Sequence, residues 1–320
     1  MDYLISIIII VKNEEHRIGK CIDSLLYQKE IENCEVLFVD GNSSDNTVFI
    51  INKYRKKHNN FRVITCDRSG YAYQRNIGIV NSLGKYILFI SGDTVCDSNL
   101  IRKYIDGINK GYEVIQGTVI QNGEDKVSRV LYKIYHKTME NELEDISTVN
   151  IMIKRSLFEN NLFDVRTVAS EDKLWYLLLE NKPHYRRMKG AVVFHTVHES
   201  VIQYSRKIQK EAIGIGASLV LHSNLWMSYN FFGWLNMTIC QCITLLIFLV
   251  TLFHFLFISE NYLILGVGIA TGILFELYKF FSYRMYEDNW RSIMILELFI
   301  FSAQKGLIQG VVHSLLMRKR

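Results

Sequence analysis

Between positions 212 and 259 the chain carries no Asp, Glu, Lys or Arg. A stretch of that length without charge has no place on the surface of a soluble domain, so it fixes what the C-terminal third can be. A helix that crosses a bilayer needs about 20 apolar residues to span a hydrocarbon core about 30 Å thick. Residues 234–258 meet that length, and residues 262–275 with their flanks supply a second span. Glu260 is the only charge between them, which predicts a tight hairpin over about 232–280. Gly268 and Gly272 lie four apart, the small-residue spacing that lets membrane helices approach closely. Residues 292–317 contain Glu297, Lys305 and His313, and read as a third span or as a helix lying in the interface.

The first two hundred residues are different, being dotted with charge throughout. A chain of 320 residues holds a sizeable soluble core as well as the membrane part, and the composition shift divides it into 1–215 and 216–320. Basic residues flank the apolar region: Arg206, Lys207 and Lys210 before it, Arg318, Lys319 and Arg320 after it. They predict a multi-pass membrane protein whose soluble domain and C-terminus share the cytoplasmic side, against anionic lipid. The net charge of +5 is modest, and no basic stripe with interleaved aromatics appears, which argues against nucleic acid as a partner. Six cysteines stand at 21, 34, 66, 96, 240 and 242 with no C-x-x-C pair, which argues against a zinc or dithiol redox motif. Reduced thiols in a cytosolic compartment fit them best. Residues 1–11 are apolar but short and led by Asp2, so they read as a buried strand and not as a signal peptide.

The soluble part alternates strand and helix. Residues 4–11 form a continuous, largely β-branched run suited to a strand covered on both faces. Glu14 and Glu15 then sit where a helix start favours acids, and Ile18, Ile22, Leu25 and Leu26 recur at helical spacing. Residues 35–39 make a second strand, and Ser43, Ser44 and Asp45 offer an N-cap for a helix through Tyr54. Asp45 itself reads as that structural cap. Strands at 61–66 and 85–90 bracket a helix at 71–82, and looser strands follow at 113–120, 150–153 and 191–194, with a helix at 171–179. Repeated βα units imply an α/β fold with a mainly parallel sheet and helices on both faces. Ligands of such sheets bind at the carboxyl ends of the strands, where Asn13, Asp40 and Asp93 fall.

Five motifs carry a family resemblance over roughly residues 4–215. They are Ile7-Ile8-Ile9-Ile10-Val11-Lys12-Asn13-Glu14; Val39-Asp40-Gly41-Asn42-Ser43-Ser44-Asp45-Asn46-Thr47; Arg75-Asn76-Ile77-Gly78 followed by Gly84 and Asp93; Arg155-Ser156-Leu157-Phe158 with Phe163-Asp164; and Glu171-Asp172-Lys173-Leu174-Trp175. Each is weak alone, but their order and spacing together resemble glycosyltransferase family 2, inverting enzymes of GT-A (Rossmann-like) fold. The resemblance implies a nucleotide-sugar donor held by Val11, Asn13, Glu14, Asp40, Arg75, Asn76, Gly92 and Asp93. Asp40 would accept hydrogen bonds from the base, and Arg75 would face the diphosphate. It implies a divalent cation, Mg²⁺ or Mn²⁺, bridging the phosphates at Asp93. The family usually has two acids there; Ser91-Gly92-Asp93 has one, so phosphate oxygens and waters would complete the shell. His195, ending the strand expected at 191–194, is a candidate second ligand.

On the same grounds Asp172 is the candidate catalytic base, taking the proton from an acceptor hydroxyl as its oxygen attacks the anomeric carbon. Glu171, Trp175, Arg206 and Lys207 are candidates for the acceptor side, Trp175 as a platform for a sugar ring. A lipid-linked glycan or polyprenyl phosphate is the expected acceptor, because a membrane anchor otherwise lacks a purpose. Two rival readings stand beside this one. A nucleotidyltransferase would show a glycine- and arginine-rich phosphate loop after the first strand, where Lys12-Asn13-Glu14-Glu15 stands instead. A non-catalytic nucleotide-sugar-binding protein is favoured by Ser91 and opposed by Asp93 and Asp172.

Overall fold

The computed structural model describes residues 3–122, 146–167 and 169–196, together with 209, 210 and 213. The chain divides into two compact units, Met1–Gln203 and Tyr204–Arg320. The expected hairpin at 232–280, the helix at 292–317 and the division at 215 all lie outside the described residues. Among the described residues, no helix is long and apolar enough to cross a membrane.

The first unit is built on an eight-stranded sheet. Its strands are β1 (Ile5–Val11), β2 (Cys34–Asp40), β3 (Phe61–Thr65), β4 (Tyr86–Ser91), β5 (Thr94–Cys96), β6 (Val114–Asn122), β7 (Asn150–Lys154) and β8 (Tyr185–Thr196). Its helices are α1 (Ile18–Leu26), α2 (Thr47–Arg55), α3 (Tyr71–Asn81), α4 (Leu100–Asn109) and α5 (Glu171–Leu178). The strand order is β3-β2-β1-β4-β7-β6-β8-β5.

The expectation of a mainly parallel sheet holds for six of the eight strands, which share one direction, while β5 and β7 run against them. β3, β2, β1 and β4 run parallel, with α1, α2 and α3 as the crossovers that lead into β2, β3 and β4. After β4 the chain turns at Gly92 without such a helix. β7 then pairs antiparallel with both β4 and β6, and β5 antiparallel with β8, while β6 and β8 run parallel. The sheet is therefore mixed.

Strand periodicity sorts the core into two layers. Ile5, Ile7, Ile9 and Val11 of β1 pack with Ile18, Ile22 and Leu25 of α1, Ile51 of α2 and Leu100, Ile101 and Tyr104 of α4. Ile8, Leu37 and Val39 face the opposite layer, with Ala72 and Ile79 of α3 and Trp175 and Tyr176 of α5. Each fully buried isoleucine contributes about 2 kcal/mol relative to leaving it in water. Two glycines record how closely the layers approach. A Cβ on Gly78 would stand 2.6 Å from Ile8 Cγ2, and one on Gly84 would stand 2.5 Å from the Ser6 backbone nitrogen. Both motif glycines thus serve packing against β1.

Candidate active site

The carboxyl ends of β1, β2 and β4 form one rim. Two of its loops are stitched together directly. Asn13 N–H donates to Ser43 Oγ at 2.9 Å, and Asn13 Oδ1 accepts from Ser44 N–H at 2.9 Å. Glu14 N–H donates to Thr47 Oγ1 at 2.7 Å, and Glu15 N–H to Asp45 Oδ2 at 3.1 Å. Glu15 Oε2 accepts from both Asn46 N–H and its side-chain amide. Asp45 Oδ1 takes Thr47 N–H at 2.9 Å and Thr47 Oγ1–H at 2.5 Å in the turn before α2, whose N-cap position is held by Asn46. Asn13 (φ 55°) and Asn42 (φ 63°) hold left-handed backbone at this rim, a conformation asparagine tolerates better than most residues.

The structure shows what each donor-side candidate is attached to. Asp40 is 1% exposed, and its carboxylate closes the turn by accepting Ser43 N–H and Ser43 Oγ–H. Val11 has its side chain in the core, and its carbonyl accepts from Gly41 N–H and from the Gln74 amide. Gly92 is buried, its missing Cβ 3.0 Å from Val11 Cγ1. Asn76 grips the backbone of Phe163 in both directions, at 2.8 and 3.0 Å. Arg75 is buried and paired with Glu171, which carries α3 onto the start of α5. Glu171, read as an acceptor-side residue, is thus engaged by the donor-side arginine. Trp175 is 3% exposed, stacked on Phe158 at 4.8 Å and donating Nε1–H to Asn161 O, so it fills the core and presents no open ring face. Arg206 and Lys207 lie outside the described residues.

Asp93 and His195 are brought together across 102 residues of sequence. The antiparallel register sets Thr94 of β5 opposite His195 of β8, and His195 Nε2 lies 2.8 Å from Asp93 Oδ2. Ser91 Oγ–H donates to Asp93 Oδ1 at 2.5 Å, so the serine that replaces an acid orients the remaining one. Burial raises the Glu14 carboxyl above its ordinary range, and the neighbouring charge of Asp93 adds to the rise. Among the described residues, no group of three or more His, Cys, Asp and Glu side chains gathers into a cage. One carboxylate oxygen and one imidazole nitrogen in contact do fit a divalent cation that completes its shell with ligand phosphates and water.

Asp172 sits in the first turn of α5. Its Oδ2 accepts both Thr148 N–H and Thr148 Oγ–H at 2.9 Å, and its Oδ1 accepts Lys173 N–H at 2.9 Å. Ser170, just before it, holds left-handed backbone at φ 60°. Strain of that kind gathers where a site dictates geometry. Ser91 N–H donates to Val149 O at 3.2 Å, so the Asp93 turn and the Asp172 carboxylate are joined through adjacent residues, 149 and 148. Sequence reasoning missed Thr148, because a hydroxyl between apolar elements carries no periodic signal, and it read Ser43 as a helix cap where the structure bonds it to Asp40 and Asn13.

Comparison with known proteins fits this arrangement. A family model described as Glycosyl transferase family 2 matches residues 6–168. The chain is similar to the poly(ribitol-phosphate) beta-glucosyltransferase of Bacillus spizizenii, 38% identical over 103 residues that make up 31% of this chain and 16% of that protein. It is also similar to the dolichyl N-acetyl-alpha-D-glucosaminyl phosphate 3-beta-D-2,3-diacetamido-2,3-dideoxy-beta-D-glucuronosyltransferase of Methanococcus voltae. That match is 29% identical over 140 residues, 40% of this chain and 44% of the relative. In both cases the match spans less than half the relative's length. Among solved structures, the mannosyltransferase PcManGT from Pyrobaculum calidifontis, in complex with GDP-Man and Mn²⁺, superposes with a TM-score of 0.58 over 98% of this chain and 87% of its own. At 11% identity that likeness concerns the fold.

Proposed function

The chain belongs to glycosyl transferase family 2, and we infer that it is an inverting glycosyltransferase moving a sugar from a UDP- or GDP-sugar to a lipid-linked or polyprenyl-phosphate acceptor at the cytoplasmic membrane face. The observation that carries the reading is the link between two acids. Asp93, at the end of β4, and Asp172, at the start of α5, are joined through Ser91, Val149 and Thr148. A transferase needs its leaving-group side and its acceptor side held at one spacing, and this link supplies it. The acceptor class is supported by the relative from Methanococcus voltae, which is named for a dolichyl phosphate-linked sugar. The membrane face rests on the charge pattern around positions 206–320.

Asp172 removes the proton from an acceptor hydroxyl while that oxygen attacks the anomeric carbon. The carbon–oxygen bond to the diphosphate breaks, the configuration inverts, and the nucleoside diphosphate leaves with the bonding pair. Asp93 and His195 would hold a divalent cation, which when bound neutralises charge on the departing diphosphate. The stitched loops of residues 13–15 and 40–47 border the nucleotide, and the Arg75–Glu171 pair fixes α3 against α5. An acceptor phosphate is already anionic, in which case Asp172 orients it and takes no proton.

The test is donor turnover in membranes carrying the full chain, using a panel of radiolabelled UDP- and GDP-sugars with Mg²⁺ or Mn²⁺. Label is expected in the lipid fraction, abolished by chelator and by Asp93→Ala. Loss with Asp172→Ala marks a hydroxyl acceptor, and survival marks a phosphate. Well-folded protein that neither transfers nor hydrolyses any donor would overturn the reading in favour of a binding protein.

A further inference from the structure

Residues 147–149, immediately before β7, are tied down on three sides. Val149 O accepts from Ser91, and Thr148 gives both its donors to Asp172. The third tie comes from Gln116, the third residue of β6. Its Oε1 accepts Ser147 N–H at 2.8 Å, and its Nε2 donates to Ser147 O at 3.3 Å and Asn150 O at 3.0 Å. Gln116 is fully buried, directly after the apolar Val114 and Ile115. A primary amide is an expensive occupant of such a place unless its bonds are made. These bonds go to one short segment and to the Gly117 carbonyl. Asn150 extends the network: its Nδ2 reaches Thr118 O and Ala191 O, and Tyr104 O–H donates to its Oδ1 at 2.7 Å. Thr148 is 4% exposed, so its hydroxyl serves Asp172 and has little surface to offer an acceptor.

We propose that Thr148 and Gln116 are positioning residues: Gln116 fixes the backbone of residues 147–149, and Thr148 thereby holds the Asp172 carboxylate at a set distance from the Asp93 turn. The proposal rests on Asp172 being the catalytic base. Thr148→Val keeps the shape and removes the hydroxyl, whereas Thr148→Ser keeps it. In the full chain, with whichever UDP- or GDP-sugar the wild type turns over, Thr148→Val should lower kcat about 10- to 100-fold, the effect of a small misplacement at the reacting centre. Donor KM should stay within about twofold, because ground-state donor binding is untouched. Thr148→Ser should restore the rate, and Thr148→Val should cost little more in an Asp172→Asn background. An unchanged kcat, a raised donor KM at full kcat, or losses that multiply with Asp172→Asn would each overturn it.

A second arm does not depend on turnover. Amide exchange at Thr148 should speed up in Asp172→Ala, and exchange at Ser147 should speed up in Gln116→Leu. If Gln116→Leu does not fold, the Thr148 amide in Asp172→Ala decides alone, and exchange there at the wild-type rate refutes the positioning. A wild type inert towards every donor would sink the transferase reading, with the exchange result still judging the contact.

Discussion

Breaking the Arg75–Glu171 pair should be among the most damaging single changes in the first unit. The arginine side chain is 10% exposed and the glutamate 4%, so solvent does little to screen either charge. Breaking a buried pair by removing one partner costs about 3–5 kcal/mol. Arg75→Met and Glu171→Gln should each cost about 3 kcal/mol, the low end of that range, because both side chains keep a little exposed surface. Arg75 also lies over the Tyr71 ring at 5.6 Å, a contact that Arg75→Met alone gives up. The double variant leaves no buried charge, so it should cost well below the sum, with a coupling of about 2 kcal/mol or more. The assay is urea unfolding of the full chain, with the midpoint read from amide exchange in β1 and β2. A surface pair would weaken in 1 M salt, and this one should not. Single costs below about 1 kcal/mol, or strict additivity, would refute the claim that the pair is buried and mutually dependent.

Three further outcomes are expected. Gly84→Ala should destabilise by about 2 kcal/mol or more, because the new methyl meets the β1 backbone at Ser6 N (2.5 Å) and Ile5 C (2.7 Å), neither of which can rotate away; a wild-type urea midpoint would contradict this. Ser170→Gly should raise stability by about 1 kcal/mol by relieving left-handed backbone, whereas Ser170→Ala should not, as thermal unfolding of the pair would reveal. Burial pushes the Cys34 and Cys96 thiols up from 9.0 to about 12. The unfolded chain therefore releases those protons first, and the stability they contribute is complete below pH 9 and lost as pH rises towards 12. Mass-mapped alkylation at pH 8 should spare Cys21, Cys34, Cys66 and Cys96 until denaturant is added.

What the sequence made legible was local. β1 announced itself because both faces are covered, so all its residues but Ser6 are apolar and β-branched, and β2 did so through the apolar run from Val36 to Val39. The rim followed, since Asn13, Asp40 and Asp93 stand directly after three such runs. The helix start near Asp45 was readable to within a residue, with Asn46 at the N-cap and Asp45 bonded to Thr47 beside it. The first half of β8 was not, because Arg186, Arg187 and Lys189 break any apolar alternation. α4 went unread although Asp97-Ser98-Asn99 precede it and Leu100, Ile101, Tyr104 and Ile108 recur at helical spacing, and β5, at 3 residues, is too short to show a period. The partners of the site residues were illegible for a different reason. Arg75 meets Glu171 across 96 residues, and Thr148 meets Asp172 across 24, distances at which no helical or strand period operates. Trp175 illustrates the same limit: its spacing from Asp172 placed it on the right helix, and only the packing of Phe158 and Phe163 shows that its ring is already covered.

The loops that end β1 and β2 hold each other in place before any ligand arrives. A nucleotide that docks there pays little conformational entropy to order its rim. Association should then be governed by encounter and not by a slow closing step at this edge. Selectivity between bases becomes a matter of which one suits a fixed outline. Substitutions within the stitching, at Asn13, Ser43 or Thr47, should weaken every nucleotide alike, and exchanging one base for another would have to draw on residues beyond it.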